Sequence, residues 1–508
     1  MEARLEGDVL VIGGGLAGGV AALRAAELGC RVLLCTSGEP ATAWAQGGVV
    51  FRGPGDPESL VADILKAGCD LNNEAAVRLV AERGPTLVRE WLLERFGVPF
   101  DQGPDGAHEL VLEAAHSSHR ILHAKDSSGA AVQRALDARI AAEPRIRRFH
   151  GHLVDLLVTN RHDVRPARAY AASHVAGAYI FDPKSGGVRP VLAKSVVLAT
   201  GGYSRLYLHA TGPASSRGDG IAAAHRAGAR TQHLEYVQFH PTALFTKEGP
   251  RRLLTEALRG AGARLLDDSG KEFVDALAPR DVVARAIHEE MLRSGTSHVW
   301  LDLRSIPKLR SHFPWVCGKL AEHGFDPERD LVPVVPAAHY TLGGVWTDLE
   351  ARTSLPGLFA AGEVACTGLH GANRLASTSL LEALVFGERA GESASRAALE
   401  ELDFEALPWR PETGRLDPAL LQQDWQILRQ TLWNYVGLVR SPRRLARAER
   451  LLVELRSEIE SFYNRTALSE ELVSLRHAVI VANLVLYAAL RNPRSLGVHY
   501  LRPDEASE

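Results

Sequence analysis

The stretch Asp8-Val9-Leu10-Val11-Ile12-Gly13-Gly14-Gly15-Leu16-Ala17-Gly18 decides the fold. Asp8 to Ile12 is a short apolar run of strand character. Three glycines follow, then an alanine-rich helical segment through Leu28, then a second strand-like run from Arg31 to Leu34. This is a βαβ opening, and Gly13-x-Gly15-x-x-Gly18 at such a junction is the pattern that binds a dinucleotide. Gly13 permits the tight turn, Gly15 lets the backbone approach a pyrophosphate, Gly18 allows close helix-strand packing, and the helix offers a positive N-terminus. The acidic residue expected at the end of the second strand is missing; Thr36 and Ser37 stand there.

Outward from this motif, Leu153 to Ile180 reads as short strands punctuated by Gly177. Lys194 to Thr200 reads as a buried strand closed by Gly201 and Gly202, and Gly218 to Gly228 as a helix. From about Thr231 to Ala338 the texture changes to mixed helices and loops with several prolines, as for a domain inserted into the first. The α/β texture then returns, with Gly357 to Gly362 as strand and turn and Ser379 to Arg389 as a helix. After the proline-rich Pro408 to Pro418 the pattern is helical to about Asn492. The expected architecture is an α/β Rossmann-like domain over residues 1–232 and 340–405, an α+β capping domain over 233–339, and a C-terminal helical bundle over 406–508.

A chain of 508 residues has room for two or three domains, and a net charge of -3 leaves no footprint for nucleic acid. The five cysteines are odd in number, scattered and never in a CxxC pair, which argues against a disulfide framework or a zinc site and fits a reducing cytoplasm. Met1 to Gly7 carry charges and no apolar segment, so no secretory signal is expected. No run reaches the roughly 20 apolar residues of a membrane span. The nearest candidate, Ala478 to Leu490, is short and flanked by His477 and Arg491. A soluble cytoplasmic enzyme is the expectation.

Four more segments sit at strand ends or helix starts: Gln46-Gly47-Gly48 after Ala41-Thr42, Ala199-Thr200-Gly201-Gly202, Gly218-Asp219-Gly220 and Ala361-Gly362-Glu363. In an open α/β sheet such ends converge on one crevice. In this order the segments resemble the succinate dehydrogenase and fumarate reductase flavoprotein family, over nearly the whole chain. The resemblance implies FAD held by Gly13, Gly14, Gly15, Leu16, Ala17 and Gly18, by Ser37, Ala41, Thr42, Gln46, Gly47 and Gly48, and by Val154, Gly201, Asp219 and Glu363. The helix beginning at Ser379 and Leu380 would point its positive end at the flavin's pyrimidine edge. Relatives that carry the flavin covalently have a histidine at the position matching Ala41, so the flavin here is expected to be noncovalent.

Gln238-Phe239-His240-Pro241-Thr242, Pro279-Arg280-Asp281, His339-Tyr340-Thr341-x-Gly343-Gly344 and His370-Gly371-Ala372-Asn373-Arg374 each place a cation or imidazole beside a proline or glycine turn. A dicarboxylate needs two anion clamps, and arginine grips a carboxylate bidentately. The resemblance implies Arg374 and His339 on one carboxylate, and His240 and Thr255, within Leu254-Thr255-Glu256, on the other. It sets Arg280 over the reacting carbon as the proton donor of fumarate reduction, a role that would rest on position and on desolvation near other cations. Glu113, in Glu113-Ala114-Ala115-His116-Ser117, matches a glutamate of the members that oxidise L-aspartate, although alanines replace two expected glycines. A carboxylate is the simplest group to recognise the ammonium that separates aspartate from succinate. His116 and His123 receive no role.

The expected reaction is therefore oxidation of L-aspartate to iminoaspartate, with oxygen or fumarate as acceptor and the product passing to quinolinate synthase in NAD biosynthesis. The alternatives are a soluble fumarate reductase, which has no use for Glu113, and a noncatalytic flavoprotein subunit docked on an iron-sulfur partner.

Overall fold

The computed structural model describes residues 5–113, 115–246 and 251–503. Strand β1 (Leu5–Ile12) turns into helix α1 (Leu16–Glu27), and β2 (Val32–Thr36) returns parallel to β1 with Val9 opposite Val32 and Ile12 opposite Cys35. Val9, Leu10 and Val11 are all inaccessible to solvent, because a parallel strand with helices on both faces is buried throughout. After α2 (Glu58–Ala67) and α3 (Ser128–Ala142), β6 (Ile146–His150) extends the sheet beyond β2. The short strands β3 (Val49–Val50), β4 (Leu110–Val111) and β5 (Ile121–Leu122) form a separate small sheet. An antiparallel meander of β7 (His152–Val158), β8 (Val175–Asp182) and β9 (Gly187–Leu198) joins the main sheet on the far side of β1.

Helix α4 (Asp219–Ala227) begins and ends at the left-handed glycines Gly218 and Gly228. The next segment does more than alternate helices and loops. β10 (Val237–Leu244), β11 (Arg264–Leu266), β12 (Val299–Asp302) and β13 (Val332–Thr341) make an antiparallel sheet in the order β10-β13-β12-β11, packed by α5 (Arg280–Ser294) and flanked by α6 (Pro314–Glu322). The boundary expected between residues 339 and 340 falls inside β13. β14 (Leu358–Ala360) then pairs with the end of β9, completing a seven-stranded sheet among the described residues.

Helix α7 (Ser379–Ala397) crosses α1 closely. A Cβ on Gly387 would come 2.7 Å from the Ala17 carbonyl oxygen and one on Gly391 2.6 Å from that of Ala21. The chain ends in α8 (Pro418–Tyr435), α9 (Pro442–Tyr463) and α10 (Glu470–Arg491), N-capped by the side chains of Asp417, Ser441 and Ser469. Helix α10 extends beyond the short run read from the sequence. Its 22 residues are long and apolar enough to cross a membrane by length and composition, but 78% of its apolar window is buried inside the protein. Its apolarity reflects packing against α8, α9 and α4.

Candidate active site

At the β1–α1 turn Gly13 adopts a φ of +119°, and a Cβ there would strike the Ala199 carbonyl oxygen; a Cβ on Gly18 would strike the carbonyl oxygen of Gly13. Both positions are closed to any side chain. Helix α1 starts at Gly15 without a side-chain cap, its Leu16 N–H donating to Thr42 Oγ1 at 3.0 Å. Helix α7 is likewise uncapped, because the Thr378 hydroxyl donates back to the Leu375 carbonyl at 2.8 Å. Two positive helix ends therefore open on one space, as an extended anionic dinucleotide requires.

That space is a cavity of about 660 Å³. Of the residues expected to hold FAD, all but Gly18 and Val154 line it. Gly18 is buried behind the turn, where its role is packing. The Val154 carbonyl is taken by Arg226 at 2.7 Å and His477 at 3.1 Å, and Leu153 lines the cavity in its place. Thr36 and Ser37 stand where an acid was expected at the end of β2, and Glu39 in the following loop reaches the lining.

The inserted sheet brings two imidazoles into the same cavity lining, beside Arg280 at the start of α5 and Arg374 beyond the insertion. His240 on β10 and His339 on β13 lie on paired strands, with ring centres 5.6 Å apart and an irregularity in the pairing just after His240. Burial pushes both imidazoles well below their ordinary pKa, and the charges of Arg280 and Arg374 push the same way, so both rings are neutral donors or acceptors. Burial and Arg280 lower Arg374 to about 10, which leaves it charged at neutral pH. Its buried Nε has no hydrogen-bond partner among the described residues. Thr255 also lines the cavity. His370 does not: it contacts Glu382 at 2.9 Å, where Thr367 and Tyr340 also donate, and so supports Arg374 through the Tyr340 ring.

Arg280 departs from the expectation of a guanidinium weakened by its surroundings. Burial works in that direction, but an ion pair with Glu256 prevails and raises its pKa. Arg259 grips the same carboxylate at 2.6 Å. Glu113 lines the same cavity and feels the charge of Arg280. Burial acts to raise its pKa, but His123 Nε2 at 3.0 Å from Oε1, the Ser377 hydroxyl donating to Oε2 at 2.6 Å, and the charge of Arg280 hold it at about 2. Glu363, by contrast, is pushed up to about 7 by burial, against hydrogen bonds from the Thr341 N–H and hydroxyl.

A family model described as an FAD binding domain matches residues 8–380. L-aspartate oxidase 1 of Ralstonia nicotianae is 40% identical over 97% of this chain and 95% of its own length, and L-aspartate oxidase of Yersinia pestis is 41% identical over the same shares. The chain belongs to the L-aspartate oxidase family. Among solved structures, FrdA of E. coli quinol fumarate reductase superposes with a TM-score of 0.86 at 28% identity over 99% of this chain and 92% of its own. Sdh1 of Mycobacterium smegmatis superposes with a TM-score of 0.83 at 29% identity over 98% and 89%.

Within this L-aspartate oxidase family member, sequence reasoning missed Glu256, Arg259, Ser377 and His123. Glu256 and Arg259 carried a signal, an acid and a base three apart beside Thr255. Ser377 and His123 carried none, because they meet Glu113 only through the tertiary fold. Ala115 takes a φ of +66°, the conformation for which glycine was expected; Ala114 lies outside the described residues.

Proposed function

We propose that this protein oxidises L-aspartate to iminoaspartate with FAD as cofactor, and that oxygen or fumarate is the final electron acceptor. The glycine turn, the two uncapped helix ends and the cavity of about 660 Å³ fit FAD, which would be held by the lining residues named above. When bound it supplies the acceptor for the hydride that leaves the substrate Cα.

Arg374 and His339 take one substrate carboxylate; the orphaned Nε and the charge of Arg374 are the reason to assign it an anion. Neutral His240 and Thr255 take the other. Arg280, kept cationic by Glu256 and lining the same cavity, stabilises charge over the reacting carbon. The observation that carries the reading is Glu113. Glu256 also lines the cavity, but its carboxylate is engaged by Arg280 and Arg259; Glu113, kept anionic beside His123 and Ser377, is the acid that a substrate ammonium can meet, and by accepting the amine's hydrogen bond it orients Cα–H. Residues 1–232 with 340–405, 233–339 and 406–508 act as cofactor, capping and helical domains, the enzyme works in the cytoplasm, and its product feeds quinolinate synthase.

Anaerobic mixing of the purified enzyme with L-aspartate, D-aspartate and succinate, followed by flavin absorbance, tests this. Bleaching by L-aspartate alone is expected; bleaching by succinate alone would make the protein a succinate-oxidising flavoprotein.

A further inference from the structure

Glu113 lies just past β4 in a coil, so its own element does little to fix its carboxylate. The chain is anchored further on, where the fully buried Arg120 pairs with Asp56 at 3.3 Å and Asp63 at 3.2 Å. The carboxylate itself is met from elsewhere: the Ser377 hydroxyl, at the approach to α7, donates to Oε2, and His123 Nε2, just after β5, lies 3.0 Å from Oε1 as an ion-pair contact. His123 is itself wedged. A Cβ on Gly48 would come 2.9 Å from its Cδ2, and its carbonyl accepts the Asp101 N–H at 2.7 Å. Beside it, a Cβ on Gly47 would lie 3.4 Å from Ser377 Oγ and 3.6 Å from Glu113 Oε1. Imidazole, carboxylate and hydroxyl therefore stand in a row against the Gln46-Gly47-Gly48 segment of the cofactor cradle.

The row solves a problem that the site's own cations create. An untethered carboxylate near Arg280 and Arg374 would swing onto a guanidinium, which would neutralise Glu113 and occupy a group required for substrate carboxylate. We propose that His123 is a positioning and specificity residue: from its seat against Gly48 it holds Glu113 Oε1 away from the arginines, and so makes the site select a dicarboxylate that bears an amine. This rests on reading Glu113 as the receiver of the substrate ammonium.

The test uses the FAD-loaded enzyme and two ligands at equilibrium, succinate and 2-methylaspartate. The second bears an amine but no Cα–H, so it is not oxidised, and binding is read from the flavin absorbance shift. The measured quantity is the preference for the amine-bearing ligand. His123→Leu is expected to lower that preference about tenfold, the worth of one charge-assisted hydrogen bond, while succinate binding moves by less than about threefold. His123→Gln, whose amide can reach Oε1, recovers most of it. In the Glu113→Gln background the His123→Leu change has no further effect, because it acts through the missing charge. Equal weakening of both ligands in His123→Leu, or losses that add in the double variant, would overturn the role of His123. An unchanged preference in Glu113→Gln would overturn the reading of Glu113 beneath it.

Discussion

The guanidinium of Arg374 lies over the Tyr340 ring, 4.6 Å from its centre, and the Tyr340 hydroxyl donates to Glu382 at 3.1 Å. The cation is thus held by a π face and by a buried acid one residue removed, which leaves its donor edge for a ligand.

Arg374→Ala and Arg280→Ala are each expected to nearly abolish turnover, because each leaves a substrate carboxylate or developing charge unpaired. Removing one partner of a buried pair costs roughly 3 to 5 kcal/mol, on the order of a hundredfold to a few thousandfold in rate. Steady-state kcat/KM for L-aspartate measures it, and a loss below about tenfold places that arginine outside the site.

Glu113→Gln preserves size and removes charge. It should lower kcat/KM for L-aspartate by about two orders of magnitude, roughly 2.7 kcal/mol. Fumarate reduction with a reduced dye should stay within a few fold, since fumarate has no amine. Equal losses on both substrates would show that Glu113 supports the fold or the cofactor instead.

Glu363 gives a pH dependence of stability whose sign follows from its raised pKa. The folded flavin-free protein keeps a proton on Glu363 up to about 7, whereas the unfolded chain releases it near 4.5, so this group's contribution is full below 4.5 and is lost as pH rises through 7. Glu363→Gln cannot ionise. Its urea midpoint relative to wild type should therefore improve steadily from pH 5 to 7.5; a constant difference across that range refutes the assignment.

Ala41 stands in the cavity lining where covalent linkage would need a histidine. Acid precipitation of the purified protein should leave its yellow colour in the supernatant, and colour in the pellet would reveal another attachment.

Local pattern by itself determined the βαβ opening, the glycine turn, the helix starting at Ser379 and the helical C-terminus. In each of these the deciding physics is local: a period of burial, a left-handed backbone angle, a cap. The segments carrying His240, Arg280, His339 and Arg374 were legible through resemblance, and the structure brings them into the lining of one cavity. What only the tertiary structure decided is how those groups are charged and held. Glu113 and Ser377 are 264 positions apart, and Arg280 and Glu256 sit on different elements. No spacing rule connects them, yet these contacts keep Glu113 anionic and Arg280 cationic. The sheet of the inserted segment was likewise hidden, because its β10 pairs with β13 nearly a hundred residues later, across bulges that break the alternation a strand otherwise shows. Even the full length of α10 depended on its neighbours: an apolar helix in the middle of a bundle and one in a bilayer have the same composition, and only the surrounding helices tell them apart.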